Sequence, residues 1–168
     1  MTSEGEQKGS AKKALAIQDT YGKRFRHCWG CGADNPDGLH IRSYPAADGK
    51  SCLCRFTPAG SFTGGVPDHL FGGLIATLFD CHGTASAAWF YHAEKGLRLT
   101  EDTVITRFIT ARLEIDFRKP LPMGEEIRIS AYPKEIGERK VLVAMEMEAA
   151  GSICAQAQMV AVRLKEEG

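Results

Sequence analysis

Residues 70–89 form a continuous stretch of apolar and small side chains that contains one carboxylate, Asp80, and one histidine, His82. The stretch is long enough for several helical turns, and a helix that is apolar on every side has to be buried. Asp68, which follows Pro67, is a suitable N-cap because its side chain can accept a hydrogen bond from a free backbone N–H group. The sequence therefore predicts one long buried helix, and a carboxylate inside it needs a compensating interaction or a chemical role.

Length and charge indicate one ordinary globular domain. A chain of 168 residues can bury a sizeable core. Its formal net charge of zero gives no general attraction to nucleic acid or to a membrane surface. No apolar run reaches the roughly 18 residues of a membrane span, and the N-terminus has no apolar signal core. We therefore expect a cytoplasmic protein whose six cysteines stay reduced.

The first twenty residues differ in composition from the rest of the chain. They are polar and charged with few large apolar side chains, which is typical of a mobile segment. A short helix is predicted within them near residues 11–17. We therefore expect a flexible tail over residues 1–20 and one domain over residues 21–168.

Apolar residues that recur with a period of two mark the strands. Six segments have this pattern: residues 39–44, 51–57, 113–117, 127–130, 141–148 and 160–164. The last four are joined by short links, which predicts an antiparallel meander. One long helix with such a sheet gives an α+β domain in which the antiparallel sheet wraps around the helix.

The segment from Gly72 to Asp80, with the strands that follow it, resembles the hotdog-fold thioesterases. The closest group is similar to the PaaI-type branch of the 4-hydroxybenzoyl-CoA thioesterase superfamily. In that branch a glycine pair begins the helix and an aspartate follows eight positions after the first glycine, as Gly72, Gly73 and Asp80 do here. Residues 110–120 are similar to the family's long strand after the helix. The family's histidine immediately before the glycine pair is Phe71 in this chain.

The resemblance implies an acyl-CoA thioesterase, which hydrolyses the thioester to a free acid and CoA; coenzyme A is part of the substrate, and no separate cofactor is expected. The N–H groups of Gly72 and Gly73 would form the oxyanion hole at the positive end of the helix. Asp80 would act as general base on a water molecule or as nucleophile. Thr110 corresponds to a hydroxyl residue that helps to place the water in some relatives. Phe71 favours the alternative, a non-catalytic acyl-CoA-binding or regulatory hotdog protein.

The spacing of Gly72 and Asp80 also predicts an assembly. Eight residues of helix rise about 12 Å, so one carbonyl cannot contact both groups of the same helix. If both act on one carbonyl, they come from two chains, which predicts a homodimer with two composite active sites. The hotdog family does build its sites across a dimer interface. The sequence leaves open whether dimers pair into tetramers and whether the carrier is coenzyme A or a protein-bound pantetheine.

Other contacts to the substrate are inferred from charge and position. His69 and Phe71, at the entrance of the helix, are candidate substrate-binding residues. His82 lies about 200° around the helix from Asp80 and is expected to face another way. The candidates for the phosphates of coenzyme A are four cations at predicted strand ends: Arg118, Lys119, Arg139 and Lys140.

The cysteines raise a third hypothesis, a zinc-stabilised interaction protein. Cys28-Trp-Gly-Cys31, in an opening similar to one seen in some hotdog proteins, could supply half of a zinc site. The residues that could complete it are Cys52, Cys54, His27 and His40. The pair in the strand is too closely spaced for an ordinary zinc site, so we predict no metal. The turn is expected to pack its thiols inward, and Cys81 to belong to the core.

Overall fold

The computed structural model describes residues 14–165, which form short 3-10 turns, one long α-helix and six β-strands. The helix, α1, spans Gly72–Glu94. The strands are β1 (Ser43–Pro45), β2 (Cys52–Phe56), β3 (Phe108–Phe117), β4 (Ile127–Ile136), β5 (Lys140–Ala149) and β6 (Ser152–Arg163). Among residues 14–165, no helix combines the length and the apolar character that a membrane span requires.

The six strands form one antiparallel sheet in the order β1-β2-β4-β5-β6-β3. Strands β4, β5 and β6 are joined as the predicted meander. The prediction was wrong for β3, which pairs with β6 instead of β4. The link after β3 makes no hairpin, because its residues bond to the segment before the helix: Leu70 N–H donates to the carbonyl of Leu121, and Met123 N–H to that of Asp68. In the described chain β3 is therefore an edge strand.

The sheet curves around α1 and buries nearly every side of it. Alternate residues of the central strands face the helix, and the residues between them face outward. The largest side chains of this core include Leu74, Leu78, Phe79, Ile127, Ile129, Met145, Met147 and Met159. The predicted α+β architecture, a long helix wrapped by an antiparallel sheet, is confirmed.

The start of the helix differs from the prediction. The N-cap is Phe71, and no side chain caps the helix. Asp68 is not the N-cap, because its carbonyl accepts a hydrogen bond from Met123 in the link after β3 and its backbone is part of that extended pairing. This long-range backbone pairing delays the helix until Gly72.

Part of the predicted tail belongs to the folded domain. Ile17–Thr20 form a 3-10 turn, and Ile17 is fully buried against the core. The described domain therefore begins before residue 21. The short helix predicted near residues 11–17 lies partly outside the described residues, and the turn that is observed begins at its end.

A buried polar network attaches this turn to the rest of the domain. Gln18 Nε2 donates to Ser43 Oγ at 3.0 Å, and the backbone N–H of Ser43 donates to Gln18 Oε1 at 2.8 Å. The same hydroxyl oxygen lies 2.9 Å from Nδ1 of His82 on α1. All three side chains are buried, so each hydrogen bond compensates for the loss of water. The network connects the N-terminal turn, the edge of the sheet and the helix.

We expect Ser43→Ala to lower the free energy of unfolding by about 2–4 kcal/mol, because it leaves polar atoms of Gln18 and His82 buried without a partner. Urea denaturation monitored by circular dichroism measures this change. Ser130→Ala, on the outer face of β4, is the control and should change stability by less than about 0.5 kcal/mol. Equal losses in the two variants would contradict the structural importance of the network.

Candidate active site

Asp80 lies in the third turn of α1, on the side of the helix that faces β3. The hydroxyl of Thr110 on β3 donates a hydrogen bond to Asp80 Oδ1. The sequence predicts a buried aspartate, but Asp80 is only half-buried, so solvent can reach it. Partial exposure and a hydroxyl partner together provide the compensation that a carboxylate in an apolar helix needs.

A bulge in β3 occurs immediately after Thr110. The strand is in register with β6 at Thr110 and Ala161, and the register shifts before Arg112. Because the side chain of Ala161 is buried on the helix-facing side of the sheet, Thr110 also points toward α1. Bulges of this kind change the direction of side chains and are frequent beside active sites.

The N-terminus of α1 presents the glycine pair. Leu74 and Ile75 donate their N–H groups to the carbonyl of Phe71, and the N–H groups of Gly72 and Gly73 before them have no acceptor within the helix. A Cβ atom added to Gly72 would lie 3.7 Å from Cε1 of Phe117, whereas one added to Gly73 would overlap the ring of Phe71. The glycine pair therefore lies between two aromatic rings, of which Phe71 is 52% and Phe117 is 58% exposed.

His69 and Phe71 occupy different environments beside the glycine pair. His69 is half-buried; its carbonyl accepts a hydrogen bond from Gly64 N–H at 2.8 Å, and its backbone pairs with Pro122. Phe71 is exposed, and its ring covers Gly73. Of these two predicted substrate-binding residues, Phe71 is therefore the one in contact with the start of the helix.

The four predicted phosphate ligands fall into two separate pairs. Arg118 and Lys119 follow the end of β3. Their N–H groups donate to the carbonyl of Cys154, which lies near the start of β6. Lys140 pairs with Val162 near the other end of β6. The seven residues of β6 between Ala155 and Val162 span about 23 Å. Within one chain, the two pairs of cations therefore cannot contact the same phosphate group.

His82 is part of the core. Its ring is fully buried and contacts Ser43, so it faces β1 whereas Asp80 faces β3. Burial lowers the pKa of His82 to about 3. The ring is therefore neutral near pH 7 and has a structural position, as the spacing from Asp80 suggests.

The structure groups the cysteines differently from the sequence. Cys52 and Cys54 are buried in β2 and do not join Cys28 and Cys31. Cys81, which was expected to be an ordinary core residue, lies beside that pair instead. Sequence patterns for thiol clusters rely on closely spaced pairs, and Cys81 is too far along the chain for such a pattern.

A groove of about 850 Å³ lies on the outer face of the sheet and is not part of this site. Its walls are mostly polar residues such as Glu114, Tyr132 and Gln158. Asp80 and Thr110 are on the opposite, helix-facing side. The concave surface of the single chain therefore does not coincide with the candidate catalytic residues.

Comparison with known proteins identifies the family. The family model described as the thioesterase superfamily matches residues 68–156. A thioesterase superfamily protein from Shewanella loihica PV-4 is 34% identical, with 83% of this chain and 95% of that chain covered and a TM-score of 0.62. The comparison with curated proteins found no match. The chain belongs to the thioesterase superfamily, and the predicted hotdog fold is confirmed.

Two more distant structures share the fold. The PaaI protein of E. coli, from the phenylacetic acid degradation operon, is 14% identical, with 68% of this chain and 73% of that chain covered and a TM-score of 0.56. The protein smu.793 from Streptococcus mutans UA159, solved bound to acetyl CoA, is 12% identical, with 71% of this chain and 85% of that chain covered and a TM-score of 0.55. Family membership supports thioester chemistry in general terms.

Proposed function

We propose that this protein hydrolyses the thioester of an acyl-CoA, releasing a free acid and CoA. The observation that carries the proposal is the hydrogen bond between Thr110 and Asp80, in a helix that begins with a glycine pair, in a member of the thioesterase superfamily. The acetyl CoA bound to the related Streptococcus mutans protein supports a CoA ester as the substrate class. The location we propose is the cytoplasm, in keeping with six cysteines that are all free.

In this proposal Asp80 takes the proton of an attacking water molecule or attacks the thioester carbonyl itself. The Thr110 hydroxyl engages Oδ1, which fixes the carboxylate and leaves Oδ2 for the chemical step. Attack would place negative charge on the carbonyl oxygen, and collapse of the tetrahedral intermediate would expel the thiolate of coenzyme A. If Asp80 itself attacks, the product is a mixed anhydride, and a water molecule then hydrolyses it to release the acid and restore the carboxylate. The reaction needs no group beyond those that the chain and water supply.

The N–H groups of Gly72 and Gly73 are proposed to stabilise that developing oxyanion. They lie at the positive end of α1 and are free of intrahelical acceptors. Neither glycine carries a side chain, which lets a carbonyl approach the backbone at the start of the helix. A fixed donor aimed at such an oxygen is worth about 2.7–4 kcal/mol in other enzymes.

If the Gly72 amide and Asp80 act on the same carbonyl, the distance along α1 places them in two different chains. Gly72 and Asp80 belong to one helix and are separated by about 12 Å of rise. The edge strand β3 offers a ten-residue row of backbone groups for pairing with a second copy. Ile109 and Phe117, on this strand, are 42% and 58% exposed. We therefore propose a homodimer in which Asp80 of one chain faces the helix start of the other; pairing of dimers into a tetramer is compatible with it.

A second candidate function is supported by the position of Phe71. Phe71 occupies the position of the family's histidine, and its ring covers the side of Gly73 from which a Cβ would project. A protein that binds acyl-CoA without cleaving it is consistent with this arrangement. A panel of short, long and aromatic acyl-CoAs with free-thiol detection separates the two functions, because binding without thiol release on every ester supports the second.

Asp80→Asn should lower kcat by about two to four orders of magnitude, because the amide can neither accept the proton nor attack the carbonyl. The rate of thiol release from the best acyl-CoA of the panel measures the effect. Asp102→Asn, in an exposed link, is the control and should keep the wild-type rate. Unaltered turnover in the Asp80 variant would remove Asp80 from the mechanism.

Gly72→Pro should lower kcat by about a hundredfold or more, because proline lacks the N–H donor. Proline is compatible with the first position of a helix, and Phe71 before it has the extended ψ of 126° that proline prefers. Gly72→Ala is the matched control, because it keeps the N–H group and its Cβ would make only ordinary contact with Phe117. If both variants retain full activity with unchanged helix content, the Gly72 amide has no catalytic role.

Mixing the two inactive variants tests the composite site. In a heterodimer of Asp80→Asn and Gly72→Pro chains, one site would contain both intact groups and the other would contain neither. Random assortment makes about half of the dimers mixed, so co-expression should restore about a quarter of the wild-type activity per site. Co-expressed chains that stay inactive, although native mass spectrometry detects the heterodimer, would contradict a site shared between chains.

A further inference from the structure

Three cysteines from distant parts of the chain meet beside the helix. Cys28 and Cys31 belong to the loop before β1, and Cys81 belongs to α1. Their sulfur atoms all lie within 4.8 Å of one another, and those of Cys28 and Cys81 are 3.9 Å apart. Three ligands bound to one Zn²⁺ at about 2.3 Å in tetrahedral geometry would place the sulfur atoms about 3.8 Å apart. The cluster therefore already has nearly the dimensions of a metal–thiolate site.

The loop is shaped to hold these sulfur atoms. Gly30 packs so closely on Cys81 that an added Cβ would overlap the sulfur atom. The N–H of Gly32 donates to the carbonyl of Cys28 at 2.7 Å, which closes a tight turn around the pair.

The surroundings suit a cation with one open coordination position. Cys31 and Cys81 are buried, whereas Cys28 is exposed and gives access from solvent. Among residues 14–165, no further cysteine, histidine or carboxylate side chain joins the group.

We propose that Cys28, Cys31 and Cys81 bind one Zn²⁺ ion, with a water molecule or an external ligand in the fourth position. Soft thiolate ligands favour this ion among the common divalent cations. The metal would fasten the loop before β1 to the turn of α1 that carries Asp80, because Cys81 is the next residue. The proposal of a zinc site does not depend on the proposed hydrolysis.

Metal analysis of the full-length protein, expressed with added zinc and purified under reducing conditions, tests the proposal directly. Wild type should contain about one Zn²⁺ per chain, and Cys28→Ser should contain almost none. Cys28 is exposed, so its replacement leaves the core intact. Cys154→Ser, at a buried cysteine outside the cluster, is the matched control and should keep the metal. Metal-free wild type, or Cys28→Ser with wild-type zinc, would overturn the proposal.

Two further measurements identify the ligands without relying on enzyme activity. Co²⁺ added to the metal-free protein should give the d–d absorption of a tetrahedral thiolate site in wild type and Cys154→Ser but not in Cys28→Ser. Added Zn²⁺ should raise the unfolding midpoint and protect Cys28 from alkylation. A disulfide between Cys28 and Cys31 in the reduced preparation, or octahedral Co²⁺ spectra identical in all three proteins, would show that the cluster is not this metal site.

Discussion

The burial of α1 on nearly all sides governs the rest of the structure. Because the sheet curves around the helix, polar side chains in the middle of α1 need partners that replace water. His82 bonds to Ser43 on β1 and Asp80 to Thr110 on β3, whereas the Ser86 hydroxyl bonds back to the carbonyl of His82 within the helix. The two contacts with strands fix the rotation of the helix, so the direction in which Asp80 points follows from the packing of the whole domain.

The periodicity of apolar residues predicts most of the helix and strands, but it does not predict which strands pair with each other. Alternation of apolar residues identified the strands because one face of the sheet packs on α1. The same pattern cannot say which strand lies next to β3, since β4 and β6 present similar faces to the helix. The late start of α1 was missed for a related reason: Asp68 has the right local chemistry for a cap, but a backbone partner more than fifty residues away holds it in an extended segment.

From spacing alone, the sequence predicts only those site residues that lie close together along the chain. The spacing of Gly72 and Asp80 lies within one helix, so the family motif could indicate both. Thr110 could be named only through the family resemblance, because its contact with Asp80 connects residues 30 positions apart and depends on the pairing of β3 with β6. The sequence places Cys81 in the core because no base is apparent on its face of the helix; its burial is confirmed, but its contact with Cys28 and Cys31 is not predicted. The division of the four cations into two distant pairs likewise follows from sheet register, which the sequence does not encode locally.

The close packing of Gly30 on Cys81 links the loop before β1 to the helix in evolutionary terms. The two positions share one small volume, so a methyl group at position 30 is compatible only with a smaller residue than cysteine at position 81. Neither position is free to drift alone. A side chain at position 30 requires a smaller residue at position 81, whereas a larger residue at position 81 has no compensating change available, because glycine has no side chain to lose. The turn of α1 that carries Asp80 would have to absorb such a change.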